Sequence, residues 1–231
     1  MQRIWRAPSM RSAAAGVLAA LALTSCGGSD HKAAPSPTPS HLIGVRAACD
    51  TTLRTEAATT QKLLGSPQVA IGPVGYQATV EQVAKLLTFD IPEGGGLAKA
   101  RHLCAVQPKS SRGWLSITFR WEPFHSVPPL TTSTEDSSEY KGIGYAASSR
   151  DDDALIDFSC RVPSPDKQDG RGMYILATAD TKGLDALGQK AKREAQLRVL
   201  HAASISVATA LRCSTNLPTT LGALKPLPLD Q

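Results

Sequence analysis

The residues able to do chemistry in this chain are few and dispersed. Its thiols are Cys26, Cys49, Cys104, Cys160 and Cys213, and its imidazoles are His31, His41, His102, His125 and His201. A catalytic nucleophile needs a base within hydrogen-bond reach, and a zinc centre draws its ligands from short, regular spacings. No two histidines lie within four residues of each other, and Cys49, Cys104, Cys160 and Cys213 are separated by 54, 55 and 52 residues. Those gaps exclude a C-x-x-C redox or zinc motif. Ser164-Pro165-Asp166-Lys167 has S-x-x-K spacing, but that chemistry sets the lysine one helical turn from the serine. Here Pro and Gly bound a loop, and no K-T-G follows. Asp151-Asp152-Asp153 lacks the alternate spacing, glycine and distal glutamate of a calcium loop, so it reads as a solvated turn. Gly94 to Gly96 lacks the lysine of a phosphate loop. No catalytic residue, metal ligand or cofactor is expected.

Cys26 stands apart from the other four thiols. Arg3, Arg6 and Arg11 form a basic leader without an acidic residue, and Ala13 to Leu23 is a run of 11 apolar or glycine residues. A helix needs roughly 20 such residues to span a hydrocarbon core, so the run fits the apolar stretch of an export signal. It is followed by Leu23-Thr24-Ser25-Cys26 and then Gly27-Gly28, which resembles the bacterial lipobox. The resemblance implies cleavage before Cys26 and lipid, palmitate among it, on the new N-terminus. The protein is then held through Cys26 at the outer face of the bacterial cytoplasmic membrane. Two acyl chains anchor stably where one binds only reversibly.

Residues 1–25 are thus read as a signal peptide and 26–41 as the lipidated cysteine and a Pro/Ser-rich tether. Residues 42–231 are read as one disulfide-bonded domain. Loss of the leader's three arginines leaves 22 basic against 20 acidic residues, a net charge of +2 in place of +5. The densest remaining cations are Lys190, Lys192, Arg193 and Arg198 on one helix, which read as a solvated face. A nucleic-acid site would need a basic stripe with stacking aromatics, so no nucleic-acid partner is expected.

Hydrophobic patterning supplies the elements that must position these residues. Asp50 is read as the N-cap of a helix over Thr51 to Leu64, stopped by Gly65. Thr79 and Gln82 have capping-box spacing before a short second helix. Strands are expected around Cys104, at Trp114 to Trp121, at Gly142 to Ser148, around Ile156 to Val162 and at Met173 to Ala179. A long helix follows from Leu184 to Leu211, with Leu197, Leu200, Ile205, Val207 and Leu211 available for a buried stripe. The sum is α+β: an antiparallel sheet of about five strands packed against a long C-terminal helix and one or two N-terminal helices.

Four cysteines in an exported domain read as two disulfides with three connectivities. The elements favour Cys49 with Cys104 and Cys160 with Cys213, while Cys49 with Cys213, tying the termini, is the rival. Trp114 and Trp121 fall on opposite faces of one strand, so one of them is a lead towards a binding surface. The lipobox, the Pro/Ser/Thr tether, the Ala-rich composition and the four later cysteines resemble four-cysteine envelope lipoproteins of actinomycetes. That likeness is one of layout and carries no site residue except Cys26. The function expected is a non-catalytic binding or interaction module whose partner is an envelope component, a protein or a small apolar ligand. An extracytoplasmic hydrolase with scattered catalytic residues is the alternative.

Overall fold

The computed structural model describes residues 42–71, 77–90, 98–109, 111–122, 137–162 and 173–228. The lipobox, the tether, His31, His41, His125, Gly94 to Gly96 and Ser164 to Lys167 lie outside them. The elements run β1 (Leu42–Gly44), a 3-10 turn (Val45–Ala47), α1 (Ala57–Leu64), β2 (Gln68–Ile71), α2 (Val80–Phe89), β3 (Arg101–Pro108) and β4 (Leu115–Glu122). They continue with β5 (Ser138–Tyr140), β6 (Ala146–Ser149), β7 (Asp153–Arg161), β8 (Tyr174–Asp180), α3 (Gln189–Ala210) and β9 (Ser214–Thr215).

The fold is α+β, with the long C-terminal helix and two N-terminal helices expected. Among the described residues its sheet has nine strands rather than about five, in the order β1-β2-β3-β4-β8-β7-β6-β5, with β9 beside the end of β7. Every pairing is antiparallel. The four strands that patterning missed, β1, β2, β5 and β9, have 3, 4, 3 and 2 residues. Such segments hold too few alternations to show a period of two; a neighbouring strand edge decides them.

The long strands follow their pattern. Leu115, Ile117, Phe119 and Trp121 of β4, Ile156 and Phe158 of β7, and Ile175, Ala177 and Ala179 of β8 are fully buried on one face. Helix α3 lies on this face over β6, β7 and β8, and α2 lies over β3. Trp121 also anchors α2, because its indole Nε1 donates to the Leu87 carbonyl at 2.8 Å. Without that partner, a fully buried indole N–H would lose its hydration uncompensated.

The structure revises three readings of the sequence. First, the helix expected from Thr51 begins only at Ala57, because Cys49, Asp50 and Thr51 have φ of 53°, 55° and 62°. Three left-handed residues cannot continue into a right-handed helix. Asp50 does cap a helix, but α2 rather than α1: its Oδ2 accepts the Val80 N–H at 2.8 Å. Thr79 and Gln82 close the expected capping box at the same end.

Second, the long helix starts at Gln189 rather than Leu184, because Gly188 is extended. Leu197, Leu200 and Val207 within it and Leu211 at its C-cap are buried as expected, while Ile205 is only partly covered. Third, Lys192 and Arg193 are not on a solvated face; they pair with the Asp151 to Asp153 turn, which stays solvated, its Asp151 and Asp152 side chains 48% and 61% exposed. Lys192 Nζ lies 3.3 Å from Asp152 Oδ1, and Arg193 Nη2 lies 2.9 Å from Asp151 Oδ1. Both cations are nearly buried, and the turn is docked on the helix through them. Between them and the core sits Gln196, fully buried, which accepts from Ser149 Oγ at 2.6 Å and donates to Thr181 Oγ1 and the Asp151 carbonyl.

The disulfides join Cys49 to Cys104 and Cys160 to Cys213, each with a Cα separation of 5.1 Å. Each ties an irregular segment to a long strand, the first beside α2 and the second where α3 ends.

Candidate functional site

The β3-β4 hairpin carries a half-open apolar hollow. Alternation turns Ser116, Thr118, Arg120 and Glu122 of β4 away from the helices, and the register sets His102 opposite Thr118 and Ala105 opposite Ser116. Between His102 and Cys104 the pairing shifts by one residue, so Leu103 and Cys104 are both buried and His102 still points outward. This bulge keeps the disulfide inside while leaving the imidazole beside the hollow.

Trp114 forms the wall just before β4. Its backbone N–H donates to the Lys182 carbonyl at 3.0 Å. The preceding Gly113 packs so tightly on the Gly183 backbone that a methyl group there would collide with the Gly183 carbonyl. Trp114 is therefore held from behind by a backbone contact that only glycine permits. Leu86 of α2, Lys99, Ala100, Arg101, His102, Ala105 and Ser116 complete the lining, enclosing about 330 Å³. Trp114 remains 38% exposed, against 0% for Trp121. Strand geometry thus separates two indoles seven residues apart into a core anchor and a pocket wall.

The charges around this pocket are unequal in their commitments. Arg101 is engaged with Asp90 at the end of α2, its Nη2 2.6 Å from Asp90 Oδ1. Lys99 and His102 are exposed and have no hydrogen bond or ion pair among the described residues. No carboxylate lines the hollow among the described residues.

A second hollow of about 930 Å³ lies between the left-handed turn, the start of α2, the latter half of α3 and the C-terminal tail. It is polar, walled by hydroxyls such as Thr52, Ser206 and Thr209, each already donating to a backbone carbonyl. His201 lies in its wall but is 5% exposed, with Nε2 2.8 Å from the Pro218 carbonyl. Burial holds its pKa below the ordinary value, against the Pro218 bond and Glu56, while Arg198 lowers it further. That neutral imidazole ties α3 to the tail. Among the described residues no hydrogen bond joins a histidine to a serine or a carboxylate, and no group of three or more His, Cys, Asp or Glu could hold a metal.

The chain matches no protein-family model, no curated protein and no solved structure. The reading of its sites therefore rests on its own geometry. Among the described residues, no helix is long and apolar enough to cross a membrane.

Buried acids were missed in the sequence: Glu122, Glu139 and Asp157. Asp157 on β7 is 2% exposed, and neither carboxyl oxygen has a hydrogen-bond partner. Burial, with a smaller contribution from the Glu122 carboxylate, pushes its pKa up to about 7. Its place in an apolar/polar alternation gave no hint of this, because burial on the second face depends on what the neighbouring strands present.

Proposed function

We propose that this chain is an exported lipoprotein, anchored through Cys26 at the outer face of the bacterial cytoplasmic membrane, whose domain is a non-catalytic binding module. Its ligand is a small molecule with an apolar portion, held in the Trp114 pocket. The observation that carries this reading is the hollow itself. An exposed indole, Leu86, Ala100 and Ala105 line a concave space of about 330 Å³, at the lower end of the range for small-molecule sites. Its lining side chains suit contact rather than bond-making, since among the described residues no hydrogen bond joins the Ser116 hydroxyl to His102 or Lys99. Its walls come from Leu86 of α2, the 99–102 segment and the β3-β4 hairpin, a concavity that favours a ligand over a flat protein surface.

The test uses the mature chain, whose only tryptophans are Trp114 and Trp121. A neutral naphthylamine probe should brighten on binding and quench the Trp114 emission. Ala105→Phe, which fills the hollow from β3 without altering the backbone, should abolish both signals while leaving the melting temperature within a few degrees. Probe binding that is unchanged in Ala105→Phe would show that the ligand site lies elsewhere.

A further inference from the structure

We propose that the Trp114 pocket takes a single-chain anionic amphiphile, its chain on Trp114, Leu86 and Ala105 and its carboxylate at Lys99 and His102. The inference rests on the binding reading above and adds the ligand's charge and shape. The hollow joins an apolar floor to a polar rim. Trp114, Leu86 and Ala105 supply carbon surface, whereas Lys99, His102 and the Ser116 hydroxyl supply donors.

The charge balance selects the head group. Arg101 is already paired with Asp90, so that ion pair adds little net field. Lys99 is exposed, and among the described residues it has no carboxylate partner and no acid lines the space. The negative end of α2 is compensated locally, since the Asp90 N–H and the Trp121 indole both donate to the Leu87 carbonyl, and Arg101 stands beside Asp90. Among the described residues, what remains at the rim is the unpaired Lys99 cation next to apolar surface. A neutral ligand uses only the second of these features; a fatty carboxylate uses both.

The size selects one chain. About 330 Å³ is too small for a two-chain lipid, which would need the upper part of the usual pocket range. Phe89, three residues after Leu86 and so on the same helical face, is 76% exposed and continues the apolar surface along α2. A single chain longer than the hollow has carbon to lie against there.

The experiment is displacement of the naphthylamine probe from the mature protein by dodecanoate, by dodecanol and by phosphatidylglycerol vesicles, in wild type and in Lys99→Gln. Dodecanoate should displace at concentrations about three- to fivefold lower than dodecanol, the scale of one partly solvated ion pair. Lys99→Gln should erase that preference without changing dodecanol, and Lys99→Arg should retain it. Vesicles should not compete. Equal displacement by acid and alcohol would overturn the charge assignment while leaving the apolar pocket standing. A preference that survives in Lys99→Gln would remove Lys99 from the site, and competition by vesicles would overturn the single-chain assignment. If neither amphiphile displaces a probe that Ala105→Phe blocks, the amphiphile is wrong. If the probe itself does not bind, the pocket reading falls with it.

Discussion

Replacing Asp157 by Asn should stabilise the domain at neutral and alkaline pH and do far less in acid. The carboxyl is buried on β7, has no hydrogen-bond partner, and has a pKa raised from 3.8 to about 7 by burial and by Glu122. In the unfolded chain it titrates at its ordinary value. Below about pH 4 both states hold the proton, and the group contributes no pH-dependent term. Between pH 4 and pH 7 the folded state keeps a proton that the unfolded state releases, so folding loses about 1.4 kcal/mol per pH unit. Above pH 7 both states are ionised and the penalty stays level at about 4 kcal/mol, an upper figure because the protein relaxes around the charge. Asn has the same shape and no charge, and the cost of its own unpaired amide is the same at every pH. Urea unfolding of wild type and Asp157→Asn at pH 4.5, 6 and 8 reads the effect, with the titrations not coupled to Asp157 cancelling in the difference. The stability gained by the mutant should grow by about 3 kcal/mol from pH 4.5 to pH 8. A difference that is flat with pH, or that shrinks as pH rises, would mean that Asp157 is solvated or paired in solution.

Other outcomes follow from the same geometry. Cys26→Ala should abolish incorporation of labelled fatty acid and leave the precursor uncleaved at this site; label that persists in the mutant would refute the lipoprotein reading. Each disulfide closes a loop of more than 50 residues, so removing Cys160 and Cys213 together as alanines should cost up to about 4 kcal/mol in chemical unfolding. An unchanged midpoint would show that this crosslink does not constrain the unfolded chain. Gly113→Ala should lower the melting temperature and weaken probe binding together, because the added methyl meets the Gly183 carbonyl and displaces Trp114. Loss of stability with probe affinity intact would separate Gly113 from the pocket.

The chain's own sequence determined those features that depend on local periodicity or on covalent arithmetic. Leu115 to Trp121 alternates strictly, so β4 and its buried face were legible, as was the separation of Trp114 from Trp121. Thr79 and Gln82 announced the start of α2 because a capping box is a contact between residues three apart. Four cysteines beside helix and strand signals gave the favoured pairing. Tertiary structure decided whatever depends on residues distant in the chain. Asp50 looked like the cap of the helix following it, yet its carboxylate serves Val80, 30 residues on, because the left-handed turn at Cys49 to Thr51 redirects it. Lys192 and Arg193 read as solvated, since either sign alone in a sequence favours water; their pairing with the Asp151 turn required α3 to lie across β6 and β7. The pocket combines Leu86 of α2, Ala105 of β3 and Trp114 at the entrance to β4, and no linear pattern relates them. Its position follows from a bulge at Leu103 and a glycine contact at Gly113, both of which are properties of the packed backbone rather than of residue order.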